Sequence, residues 1–125
     1  MKKKLVASIF TAALFIISLG CTSQPLPDKG VMILMPKANE VVKAEELYEI
    51  LWTTTASADS EFGASVTIEF SKDGGQSWER VEQNAPNSWK YVWKVPTVDS
   101  TRCKIRVSSK SQPTYRGTSD AFSVK

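Results

Sequence analysis

Val66-Thr67-Ile68-Glu69-Phe70-Ser71-Lys72-Asp73-Gly74-Gly75-Gln76-Ser77-Trp78 is the stretch whose reading decides the fold. Its first half sets Val66, Ile68 and Phe70 at alternate positions, a period of two that puts all three on one face of a β-strand. Asp73-Gly74-Gly75 then breaks the strand, because adjacent glycines accept the positive φ of a tight turn. The chain is expected to return as a second strand over Trp78 to Glu82. The same period recurs on both sides. Upstream, Val31 to Met35 is an apolar run stopped by Pro36, Val41-Val42 is a short pair, and Tyr48, Ile50 and Trp52 alternate. Downstream, Ala85-Pro86-Asn87-Ser88 reads as a loop, Trp89, Tyr91, Trp93 and Val95 form a stripe ended by Pro96, and Arg102 to Ser109 alternates cationic with apolar residues. Phe122 and Val124 close the pattern. Residues 40–51, EVVKAEELYEIL, have fair helix propensity, but the β-branched and aromatic phase running on into Trp52-Thr53 favours a strand. The expectation is an all-β chain: a single antiparallel β-sandwich of about seven strands, one face of each sheet packed and the other wet.

The amino terminus reads as an address. Lys2 to Lys4 are followed by an uncharged stretch from Leu5 to Leu19, then Gly20-Cys21. A membrane-spanning helix needs roughly 20 apolar residues, and Pro25 and Pro27 follow at once, so residues 1–20 are read as a signal peptide. Two cleavage chemistries compete at the Gly20-Cys21 bond. Ordinary signal peptidase accepts Ser18 and Gly20, whereas Gly20-Cys21 resembles the lipobox of bacterial lipoproteins, with Ser18 in place of the usual leucine. Lipidation of Cys21 is the favoured reading, since a cysteine directly after the small residue that ends such a segment is otherwise rare. The resemblance implies a diacylglyceryl group on the sulfur and an acyl chain on the new amino group. One chain holds a protein to a bilayer only reversibly and two or more hold it firmly. Thr22, not aspartate, follows Cys21, which points to the outer membrane if the organism has two; a secreted or periplasmic protein is the alternative. Residues 21–30 are expected to be a flexible tether and residues 31–125 the domain.

Composition narrows the chemistry. There is no histidine, so Ser-His-Asp and Cys-His triads and histidine-bearing zinc sites are excluded. The chain carries 16 basic and 13 acidic side chains. Setting aside Lys2, Lys3 and Lys4 balances them, so the mature chain has no overall pull toward nucleic acid, and nucleic-acid binding is not expected. Local basic patches remain open, and Lys90, Lys94, Lys104 and Arg106 are candidates for a shared strip. Cys103 alternates in phase with Ile105 and Val107 and is read as a small core residue. If Cys21 were free, an oxidising compartment would permit a disulfide with Cys103, although a flexible leader gives the two no reason to meet.

Paired carboxylates are the acid-base system that remains, with Asp59, Glu61, Glu69, Glu79, Glu82 and Asp99 as candidates. Glycoside hydrolysis needs two of them about 5 to 9.5 Å apart in a cleft. Charges spread along strands are more simply a wet face, so no catalytic residue, metal or cofactor is expected. The stripe Trp89, Tyr91, Trp93 suits either a sugar-stacking platform or core packing. Core packing is preferred for Tyr91 and Trp93, leaving Trp89, beside the Asn87-Ser88 turn, as the candidate ligand contact.

Ser71, Asp73, Gly75, Ser77 and Trp78 match the Asp-box, S-x-D-x-G-x-[ST]-W, seen in sialidase propellers and in other folds. A propeller needs several such blades, and the motif occurs here once. It is therefore read as a structural hairpin in which Asp73 accepts backbone N–H bonds and Trp78 packs back on the preceding strand; calcium or sugar contact are the competing readings. More widely, Ile50-x-Trp52, Tyr91-x-Trp93-x-Val95-Pro96, Cys103-x-Ile105-x-Val107 and Ser119-Asp120-x-Phe122-x-Val124 resemble the immunoglobulin-like or fibronectin-III-like modules related to the Kre/Knh yeast cell-wall synthesis family. The resemblance implies an immunoglobulin-like sandwich and no catalytic residue. Together these readings suggest a non-catalytic, lipid-anchored envelope protein acting as an adhesion or protein-interaction module that uses edge strands or loops. An envelope polysaccharide binder using Trp89 is the alternative, and a small glycoside hydrolase a remote one.

Overall fold

The structure, a computed structural model, describes residues 28–55 and 62–125. The signal peptide, Cys21, most of the tether, Asp59 and Glu61 lie outside the described residues. The elements are β1 (Val31–Met35), β2 (Val41–Val42), β3 (Leu47–Thr54), β4 (Ser65–Ser71), β5 (Glu79–Pro86), β6 (Lys90–Lys94), β7 (Ser100–Ser109), β8 (Arg116–Thr118) and β9 (Phe122–Val124). They form two sheets, one in the order β1-β3-β6 and the other β2-β9-β7-β4-β5, with β8 paired to β7.

The alternating positions explain why the sheets stack. Ile50, Trp52 and Trp93 from the first sheet and Val66, Ile68, Phe70, Cys103, Ile105, Val107, Phe122 and Val124 from the second share one core. The ring centroids of Phe70 and Trp93 meet across the sheets at 5.1 Å and 48°, a tilted aromatic pair. A three-stranded sheet facing a sheet that carries the remaining hairpins, with the first segment divided between the two, is the arrangement of immunoglobulin-like and fibronectin-III-like sandwiches. The helical alternative for residues 40–51 is not adopted; β2 and β3 occupy it.

Three expectations need correction. First, the sandwich is not wholly antiparallel. β2 runs parallel to β9, pairing Val41 with Ser123 and Val42 with Val124. The reason is that the first segment changes sheets after the cis Met35-Pro36 bond, so its second half keeps its heading and meets the last strand from the far side. Second, the loop expected at Ala85-Pro86 is strand, and the described residues form nine short strands, in keeping with a sandwich of about seven or more. β8, Arg-Gly-Thr, has no apolar alternation to reveal it, and β5 runs on through Ala85 and Pro86, which had been read as loop. Proline is tolerated there because β5 is an edge strand. Third, the tether is already engaged at Asp28. Its carboxylate accepts the Thr118 N–H at 2.8 Å and the Thr118 hydroxyl at 3.2 Å. Lys29 and Arg116 also exchange two backbone hydrogen bonds of 2.9 Å each.

Candidate functional site

Ser71 to Trp78 make the hairpin joining β4 to β5. Gly74 and Gly75 take φ of 78° and 96°, the left-handed values that a turn of this tightness needs. The Ser71 hydroxyl donates to Asp73 Oδ1 at 2.7 Å and accepts from Gly75 N–H at 2.8 Å. Asp73 Oδ1 accepts Ser77 N–H at 2.9 Å, and Oδ2 accepts the Ser77 hydroxyl. These bonds, that from the Ser77 hydroxyl foremost and then its backbone N–H and the Ser71 hydroxyl, hold the Asp73 carboxyl well below the usual carboxylate range. The hairpin is also fastened sideways to β7. Gly74 N–H donates to the Arg102 carbonyl at 2.7 Å, and Arg102 Nη2 donates to the Asp73 carbonyl at 2.8 Å. Trp78 is placed by that turn against β7, where the Arg106 guanidinium lies 4.0 Å from the ring centroid. Arg106 in turn reaches Glu69 at 2.9 Å.

The other candidates fall apart in space. Lys90 and Lys94 belong to β6 and Lys104 and Arg106 to β7, strands of different sheets, so the four candidates do not share one strip and lie instead on the wet faces of two sheets. Trp89 is 52% exposed with φ of 67°. Tyr91 is half-buried and Trp93 buried, so the stripe turns its other two aromatics inward. Among the carboxylates, Glu69 is held by Arg106, and Glu82 faces the Tyr91 hydroxyl. Cys103 is fully buried, and that burial pushes its thiol up, away from the thiolate a nucleophile requires.

One arrangement escaped the sequence reading. β5 ends one sheet and β6 ends the other, and both border a groove of about 270 Å³ in which Phe70, Val81, Tyr91, Trp93 and Pro96 are flanked by the charged Glu79, Arg80 and Lys94. The Tyr91 hydroxyl is pushed above its ordinary range first by this partial burial and then by the nearby Glu82 charge. The free edge of β6 can be read from its register. Trp52 N–H donates to the Trp89 carbonyl and Val95 N–H to the Glu46 carbonyl, so Trp89, Tyr91, Trp93 and Val95 turn their peptides toward β3. Lys90, Val92 and Lys94 therefore turn theirs away from it, and the Lys90 carbonyl accepts from the Ser88 hydroxyl at 3.1 Å. Periodicity revealed each strand face but not which strand ends a sheet, because pairing order has no local signal.

No protein-family profile and no curated protein matches the sequence. Among solved structures, the chain is similar to the fibronectin(III)-like modules of Clostridium thermocellum CbhA, with a TM-score of 0.42 and 20% identity over 75% of this chain and 92% of that one. The sandwich itself is established by this chain's own strand order and core.

Proposed function

We propose that this chain is a non-catalytic interaction module of the bacterial cell envelope, anchored by lipid on Cys21, that takes an extended segment of a partner protein along β6. The observation that carries this reading is the edge of β6, unpaired among the described residues, beside the groove between the sheets, whose aromatic floor is rimmed by Glu79, Arg80 and Lys94. An added strand gains main-chain hydrogen bonds from Val92 and Lys94, while its alternate side chains enter the groove. Lys90 and Lys94, four residues apart on that edge, guard it against indiscriminate pairing and select a segment with acidic residues at matching spacing. The lipobox-like Gly20-Cys21 and the Kre/Knh-like spacing support the envelope setting. The alternative of an envelope polysaccharide binder has less support, since Trp89 is exposed while Tyr91 and Trp93 turn inward.

The test is selection from a library of extended peptides, followed by amide hydrogen exchange on the complex. Selected peptides are expected to carry acidic residues around an apolar centre and to slow exchange at Val92 and Lys94. Protection confined to another surface, or binding of glycans on an array with none of peptides, would overturn the reading. Lipidation is checked separately by intact mass of the membrane-extracted protein, where a mature mass without acyl chains rejects the anchor. A Cys21→Ser chain should leave the membrane fraction.

A further inference from the structure

A second surface lies on the outer face of the other sheet, where the chain enters the fold. Arg106 pairs with Thr118 and Ser108 with Arg116 in the β7–β8 ladder, so Lys104 and Arg106 of β7 share a face with Arg116 and Thr118 of β8. With Trp78 and Asp28, these side chains border a groove of about 280 Å³. Arg106 is paired with Glu69 and adds no net charge, while Asp28 accepts the N–H and hydroxyl of Thr118 and turns its oxygens to β8, so Lys104 and Arg116 are the cations left to the groove. Lys104 forms no ion pair among the described residues. Arg116 Nε is buried and meets no acceptor among them. A donor left so is costly unless an acceptor arrives, and a guanidinium suits a phosphate or carboxylate.

Position decides which anion. Cys21 precedes Asp28 by seven residues, and an extended chain spans at most about 3.6 Å per residue, so a lipid on Cys21 holds this groove within roughly 25 Å of the bilayer. Tethering at that range turns headgroup binding into an intramolecular event, and Trp78 supplies the amphipathic ring that favours the membrane interface. We infer that Lys104 and Arg116, in the groove bordered by Trp78 and the Arg106–Glu69 pair, bind the phosphate of anionic lipid headgroups in the membrane to which the chain is anchored. The site rests on the lipid-anchor reading and gives the module a second membrane contact that fixes its orientation, leaving β6 on the other sheet for its partner.

Cosedimentation of the acyl-free mature chain, Cys21→Ser, with vesicles separates this site from the anchor itself. Binding is expected to an equal mixture of phosphatidylcholine and phosphatidylglycerol, to weaken as salt rises, and to be absent with phosphatidylcholine alone. Lys104→Ala and Arg116→Gln should each weaken it about fivefold, the usual weight of one cation at an anionic surface, whereas Lys90→Ala on the other sheet should leave it unchanged. Should Arg116→Gln lose its far-ultraviolet β-sheet spectrum, Lys104→Ala decides alone. Equal loss with Lys90→Ala, or equal binding to neutral vesicles, overturns the site. So does preference for a soluble oligouronate over vesicles with the same dependence on Lys104, which would assign the groove to acidic glycans.

Discussion

Gly117 is the residue on which the contact between β8 and β1 turns. A Cβ placed there would stand 2.3 Å from the Val31 carbonyl oxygen, backbone that has no flexible end to swing aside. Gly117→Ala is therefore expected to lower stability by about 1–3 kcal/mol, read as a lower urea midpoint at unchanged slope; an unshifted midpoint refutes the close approach. Asp73 makes a different prediction. Its folded carboxyl titrates below the ordinary carboxylate range because Ser77 and Ser71 donate to the ionised form. The unfolded chain thus takes up this proton first as pH falls. The stabilisation is complete above the ordinary range near pH 4 and is lost progressively below it. Asp73→Asn should remove part of the acid-side slope of stability against pH, measured by urea unfolding between neutral pH and pH 3. An identical slope in both proteins would show that the turn does not couple to ionisation.

At the scale of the strand, β4 and β7 were legible because each keeps an unbroken period of two with one face wholly buried, Val66, Ile68 and Phe70 on one and Cys103, Ile105 and Val107 on the other. β8 was not, since its place depends on a glycine fitting against a distant backbone and not on apolar spacing. The Ser71–Trp78 turn was likewise visible from its Asp73-Gly74-Gly75 signal, but its fastening to β7 through Arg102 was not, since that partner lies 29 residues away. Trp89 shows how far periodicity reaches. It keeps phase with Tyr91, and its carbonyl still pairs with β3, yet its positive φ takes it outside the strand. The edge assigned to β6 has its own consequence. Val92→Pro removes an N–H that points away from β3 and should cost about 1 kcal/mol or less, while Tyr91→Pro removes one that points into the ladder and should cost about 3 kcal/mol or more. Thermal unfolding of the two variants compares them directly. Equal losses would mean that the register, and with it the free edge, is misread.

For the whole molecule, the second and last strands close one edge of the larger sheet. β9 lies between β2 and β7, and Ala44 N–H donates to the Lys125 carbonyl at 2.9 Å, so the chain's final residues hold its opening segment in place. Phe122 and Val124 are 1% and 0% exposed. Losing a buried phenylalanine alone costs about 3–5 kcal/mol, and a domain of this size has only about 5–15 kcal/mol in all. Removing residues 122–125 also strips β2 of its partner and opens Cys103 and its neighbours on β7 to water. The truncated chain is expected to lose its cooperative transition, whereas removing Lys125 alone, which takes two backbone hydrogen bonds to the β2 segment and no buried side chain, should leave a folded protein with a modestly lower midpoint. Calorimetry on the two truncations distinguishes them. A cooperative transition surviving the loss of Phe122 and Val124 would mean that the core closes without β9, and that the parallel pairing at β2 is ornament on a sandwich completed elsewhere.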